Sequence, residues 1–193
     1  RDRGKISLDD PVEHFFPGLP YPGRRIRHLL NHTSGLPDYV DWVAQRAGTP
    51  IPGNEIIDDF ILESGLPELF APGEKWSYCN TGYCLLASIV ERVSGKPFSE
   101  FMHDEIFNPA ELESTCMVHR RKNGISIENY AYGFVWENGA WVLPDETATN
   151  HYVIPLDGVE GDGTVNSTVR DLLRWDTVLK EGSVISLTSQ AEM

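Results

Sequence analysis

Phe70–Met102 reads FAPGEKWSYCNTGYCLLASIVERVSGKPFSEFM, and it changes character at Tyr78. Beyond Asn80, the residues Leu85, Leu86, Ile89, Val90 and Val93 recur at the spacing of one helix face, and Ser94-Gly95 ends the run. Pro97 suits the first position of a following helix, with Phe98, Phe101 and Met102 expected inside and Asn108-Pro109 as its end. Just before the long helix stand a phenol, a thiol and a carboxamide: Tyr78, Cys79 and Asn80. A buried helix start has no need of that set. The question is which of the three does chemistry.

The rest of the chain is also mostly helical in pattern. Ile26, Leu29 and Leu30 are spaced for a short amphipathic helix, stopped by Gly35 and Pro37. Asp38 to Ala47 reads as a second helix, with Tyr39, Trp42 and Val43 on one face. Asn54 is expected to cap a third, with Ile56, Ile57, Phe60 and Ile61 inward and Gly65 as the stop. Thr168-x-x-Asp171 predicts a capping box for a helix reaching about Lys180, and Leu187 to Met193 looks like the start of another. One segment has a strand period instead. Tyr132, Phe134 and Trp136, then Asn138-Gly139, then Trp141 and Leu143, predict a hairpin with a type I′ turn. Pro144 to Gly163 is loop-like in composition.

A chain of 193 residues, 40% hydrophobic, suits one domain or most of one. No apolar run approaches the roughly 20 residues of a membrane span. Asp and Glu number 29 against 16 Lys and Arg, a net charge of −13 that repels phosphate backbones and argues against nucleic acid as a partner. The three cysteines make no disulfide framework. Cys116-x-x-His119 is a lone pair at ligand spacing, too little for a metal site, so no metal and no organic cofactor is expected. The chain starts at Arg1 without methionine and carries no signal peptide, so its natural beginning is expected elsewhere and its compartment stays open.

A cysteine nucleophile needs a base or a positive environment to become thiolate. None of the six histidines stands in a recognisable partner motif for Cys79, so a small buried side chain is the plainer reading. A phenol beside ammonium groups can take a proton from a serine and return it. In extended backbone Asn80 points the same way as Tyr78, where its carboxamide can hydrogen-bond a substrate amide. Taken alone, Tyr-x-Asn is a common three-residue pattern that reads first as a core tyrosine followed by a helix cap. His32, Thr33 and Ser34 form either a second catalytic group or a tight polar loop with Gly35 at an unusual backbone angle. Glu74-Lys75 either tunes Tyr78 or is an exposed turn. Gly158 to Gly163 either borders a substrate cleft or is a flexible connection. The aromatic hairpin either lines an apolar pocket or packs ordinarily.

Three stretches bear on the Tyr-x-Asn reading: LLNHTSGLP at Leu29–Pro37, Phe70–Met102, and GDGTVNSTVRDLLRWDTVL at Gly161–Leu179. Together they resemble the serine β-lactamase-like family, which includes class C β-lactamases, D-alanyl-D-alanine carboxypeptidases, penicillin-binding proteins, related esterases and D-aminopeptidases. GKISLDDPV at Gly4–Val12 looks like the connector that follows the nucleophile helix in that family. The resemblance covers nearly the whole chain. It implies an α+β, α-rich fold: the helical domain of a β-lactamase/penicillin-binding-protein-like fold with a small aromatic hairpin, most of the central antiparallel sheet missing. It implies an acyl-serine intermediate, with Tyr78 as the catalytic tyrosine and Asn80 as the substrate-binding asparagine. Cys79 takes the variable middle place. The substrate would be a β-lactam, a D-amino-acid peptide or a carboxylic ester. Relatives are often periplasmic or extracellular.

Two of the family's three elements are not present. Three residues before Lys5, Lys75, Lys96, Lys122 and Lys180 stand Asp2, Pro72, Val93, His119 and Thr177, so there is no Ser-x-x-Lys. Lys-Thr-Gly and His-x-Gly are also missing, as is the Gly-x-Ser-x-Gly of other serine hydrolases. The expectation is one truncated β-lactamase-like domain over residues 1–193, inactive alone because the nucleophile lies elsewhere. The alternative is a noncatalytic helical interaction module of the same descent. A chain without its sheet is expected to self-associate through the exposed apolar face or to fold locally so as to hide it, with Tyr78 at the edge of that face.

Overall fold

Helix α4 (Asn80–Ser94) is the element around which the others are arranged. The computed structural model describes residues 2–46, 51–147 and 153–192. Ala47 and Met193, at the ends of two expected helices, lie outside the described residues. On α4, Cys84, Leu85, Ala87 and Ile89 are buried, and Gly95 ends the helix in the left-handed conformation with its N–H on the Glu91 carbonyl. Packed around it are α1 (Ile26–Leu30), α3 (Glu55–Glu63) and α5 (Phe98–Met102), with α2 (Val40–Arg46) against α3. Val12, Ile26, Leu29, Tyr39, Val43, Ile57, Phe60, Leu85 and Ile89 make the main core. A second cluster forms where α6 (Val169–Glu181) sets Val178 against Phe107, Ala110 and Leu112.

Leu85 has no exposed surface and sits at the centre of the main core. Leu85→Ala is therefore expected to lower stability by about 2–5 kcal/mol, the range for large-to-small core changes. Urea denaturation of the purified chain checks this, with the midpoint falling while the slope stays constant.

The described strands form two small antiparallel sheets: β1 (Cys116–Met117) with β4 (Val165–Asn166), and β2 (Val135–Glu137) with β3 (Ala140–Val142). The second is the expected hairpin. Asn138 and Gly139 have φ of 51° and 83°, as a type I′ turn requires, and Trp136 pairs with Trp141. Their rings meet edge to face at 5.3 Å, yet both are more than 60% exposed, so they pack on each other rather than in the core. This is an α-rich α+β arrangement, a set of helices with little sheet.

Several local expectations change. Asn54 does not cap α3; its carboxamide bonds both ways to the backbone of Glu160, at 3.1 and 2.6 Å. A distant loop supplied better partners than the adjacent helix end. Phe98, Phe101 and Met102 are only half-buried, because α5 lies at the margin of the core. The Thr168 capping box is half made: its hydroxyl accepts from Asp171 N–H, but the Asp171 carboxylate turns to Ser114 N–H and the Thr115 hydroxyl. Apolar side chains are not hidden everywhere, since Val169, Leu172 and Leu173 on α6 are 77%, 57% and 67% exposed.

Candidate active site

The chain reaches Tyr78 along a loop laid over the Asn31–Asp38 segment. Gly73 N–H donates to the Thr33 carbonyl, Ser77 N–H to the His32 carbonyl, and Leu69 N–H to the Gly35 carbonyl. Arg24, only 1% exposed, holds the two segments together from below. Its guanidinium donates to the carbonyls of Ser34 at 3.0 Å and Pro22 at 2.8 Å, and pairs with Glu68. Gly35 has φ +67°, and a β-carbon there would stand 2.0 Å from the Phe70 carbonyl oxygen. Only glycine lets the two strands of loop approach so closely. Thus His32–Ser34 belong to a tight polar loop, as one of the two sequence readings had it; Ser34 is buried and its carbonyl is held by Arg24.

This loop sorts the phenol, the thiol and the carboxamide. Tyr78 is 59% exposed, which excludes a core tyrosine. Its ring lies tilted on the His32 imidazole at 4.6 Å, and Tyr83 stacks on the same imidazole at 5.1 Å. His32 itself has φ +58°, rare for a residue with a side chain. Its Nδ1 accepts from Cys79 N–H at 3.3 Å, so in this arrangement the ring proton is on Nε2. Cys79 is 3% exposed, with Sγ against the Leu36 and Pro37 carbonyls, and burial pushes its thiol pKa up. A nucleophilic cysteine needs the opposite shift. Cys79 is a packing residue.

Asn80 opens α4 rather than continuing an extended strand, with Cys79 at the cap position. Its backbone N–H and its Nδ2 both donate to Asp38 Oδ2, at 2.8 and 2.9 Å. Next to it Thr81 donates to the Pro37 carbonyl at 2.8 Å. Tyr78 and Asn80 are therefore neighbours at the open start of one helix, each leaning on a different residue of the 32–38 segment. Lys75 forms an exposed ion pair with Glu74 at 3.0 Å, which fits the exposed-turn reading.

The Gly158–Gly163 segment is not a loose connection. A β-carbon on Gly161, at φ +109°, would stand 2.3 Å from the Tyr83 carbonyl of α4. Asp162 accepts from the Tyr39 hydroxyl at 2.6 Å, and burial raises the pKa of both groups. His119 is engaged there too, with Nε2 on Glu160 at 2.8 Å and Nδ1 on the Asp157 carbonyl; the Glu160 hydrogen bond pushes its pKa up. Both ring nitrogens of His119 are thus engaged within the chain, and no group of three His, Cys, Asp or Glu suited to a metal is found among the described residues. The sequence reading missed Asp38 and His32 as supports. Asp38 did carry a signal, since Asp two residues before a helix start commonly bonds the backbone, as Oδ1 does with Val40 N–H at 3.1 Å.

The family model described as Beta-lactamase matches residues 1–193. Penicillin-binding protein 4* of Bacillus subtilis is 44% identical over 192 residues, 98% of this chain and 43% of that protein. D-aminopeptidase of Gluconobacter oxydans is 33% identical over 58% of this chain and 21% of its own length. Among solved structures, D-amino acid amidase from Ochrobactrum anthropi SV3 superposes with a TM-score of 0.79 at 28% identity, covering 100% of this chain and 53% of that one. Penicillin binding protein from Bacillus halodurans gives 0.80 at 27% identity, covering 97% and 57%. The chain spans about half the length of the two Bacillus penicillin-binding proteins and of the amidase. With a match along its full length and helices in the same arrangement, this chain belongs to the Beta-lactamase family.

Proposed function

We propose that residues 1–193 form the helical part of a serine hydrolase that cleaves an amide or ester through an acyl-serine intermediate, with Tyr78 as general base and acid and Asn80 as substrate-binding residue. One observation carries this reading. The phenol and the carboxamide stand together at an open helix start, while the thiol between them is buried. The relatives named as D-aminopeptidase, D-amino acid amidase and penicillin-binding protein point to D-amino-acid amides and peptides or β-lactams as the substrate class. A carboxylic ester can enter the same acyl transfer.

In acylation, the Tyr78 oxygen as phenolate takes the serine hydroxyl proton while the serine oxygen bonds the substrate carbonyl carbon. It returns the proton to the leaving nitrogen or oxygen as the old bond breaks. Water repeats the sequence to release the acid. A phenol with a usual pKa near 10 needs a cation beside it for this work. Lys75 is occupied by Glu74, so the cation is assigned to the lysine of a Ser-x-x-Lys outside residues 1–193. The same reading sets those outside segments against the exposed apolar side chains of α6.

Fluorophosphonate labelling with mass spectrometry tests it. Residues 1–193 alone are expected to give no serine adduct. The full-length protein is expected to give one, on a serine outside these residues. A stoichiometric, site-specific adduct on a serine of residues 1–193 would overturn the assignment. No adduct in the full-length protein would favour the noncatalytic module.

A further inference from the structure

We infer that Asp38 is the positioning residue for Asn80, an inference that rests on the function proposed above. Asp38 Oδ2 receives both the backbone N–H and the side-chain Nδ2 of Asn80, at 2.8 and 2.9 Å. A carboxylate offers acceptors only, so the amino end of the Asn80 carboxamide must face it. One N–H is committed there. The carbonyl oxygen Oδ1 and the second N–H remain for a ligand. Without Asp38 the carboxamide is free to turn over, and the donor and acceptor it presents exchange places.

Asp38 is well braced for the task. Its other oxygen takes Val40 N–H at 3.1 Å, fixing the carboxylate against its own backbone. The preceding residue, Pro37, accepts the Thr81 hydroxyl at 2.8 Å, tying the same loop to the same helix start. Among the described residues no lysine or arginine forms an ion pair with Asp38. The two residues are far apart in sequence and meet only because the 32–38 loop lies under α4. Asp38 acts on substrate through Asn80, and its removal is read in how well Asn80 works.

Two measurements test this. On the purified chain, the Asn80 side-chain NH2 pair in a 15N–1H spectrum is expected to be well dispersed and slow to exchange, and to collapse toward the position of free carboxamides in Asp38→Ala. In the full-length protein, Asp38→Ala is expected to lower kcat/KM on a D-amino-acid amide by about 10²-fold, the scale of a misplaced substrate-holding group. In an Asn80→Ala background the same change is expected to cost no more than severalfold, because the two residues act as one unit. Equal losses in both backgrounds would mean that Asp38 only stabilises the helix start, and would overturn the inference while leaving the hydrolase reading intact. An undispersed Asn80 NH2 pair in the wild-type chain would overturn it as well. Failure of the full-length protein to form an acyl-serine would overturn the hydrolase reading and this role with it. If Asp38→Ala does not fold by circular dichroism, Asp38→Asn, which keeps one acceptor oxygen, runs through the same cycle with the same criterion.

Discussion

Replacing Tyr78 with phenylalanine in the full-length protein is expected to lower turnover by roughly 10²- to 10⁴-fold, the usual contribution of a general acid–base group. The change removes one oxygen from a side chain that is 59% exposed and tilted on His32, so the fold has little to lose. Stability should stay near that of the parent, and the loss should appear in kcat with little change in KM. Cys79→Ser is the paired control. It places a hydroxyl where a buried thiol touches the Leu36 and Pro37 carbonyls, and turnover is expected to remain within severalfold. Stopped-time assays on a D-amino-acid amide check both variants. Activity lost with Cys79→Ser and kept with Tyr78→Phe would invert the assignment.

Gly35→Ala is expected to be the most damaging single methyl addition to the loop that supports the site. Left-handed backbone costs a residue with a β-carbon about 1–2 kcal/mol. At Gly35 that carbon also meets the Phe70 carbonyl at 2.0 Å, and the neighbour is backbone that cannot swing away. A total of at least about 3 kcal/mol is expected, or a fall in Tm of roughly 6–12 °C for a chain of this size. Gly65→Ala supplies the contrast. Gly65 has φ +61° but nothing within 4 Å of its missing β-carbon, so only the backbone term remains. Differential scanning calorimetry of the two variants separates strain from collision. Equal shifts would show that Gly35 and Phe70 do not approach as described.

The contrast between Tyr78 and Cys79 shows how far the sequence could be read. Adjacent residues in extended backbone point to opposite sides, so one of the two was bound to face inward. Residue chemistry favoured the thiol for that place, and it is the buried one. Asn80 was read as extended backbone pointing the same way as Tyr78, but its backbone is the first turn of α4, and its carboxamide is held rather than free. The hairpin turn was legible because Asn-Gly states its own backbone angles. Cap residues were less so. Asn54 and Asp171 both had the right side chain at the right position, and both spent it on partners from distant segments.

By itself the sequence determined where most helices lie, the inward faces of α3 and α4, the type I′ hairpin and, through three motif-bearing stretches, the family. Those are local properties: side-chain period, glycine and proline placement, and residue order along one backbone. Tertiary structure alone decided that His32 lies under Tyr78, that Asp38 grips Asn80, and that Gly158–Gly163 is packed onto α4 and the loop before α3. Each of these joins residues more than forty positions apart. The partner of a hydrogen-bonding side chain is chosen by which backbone groups packing leaves unsatisfied nearby, and that is known only once the helices have met.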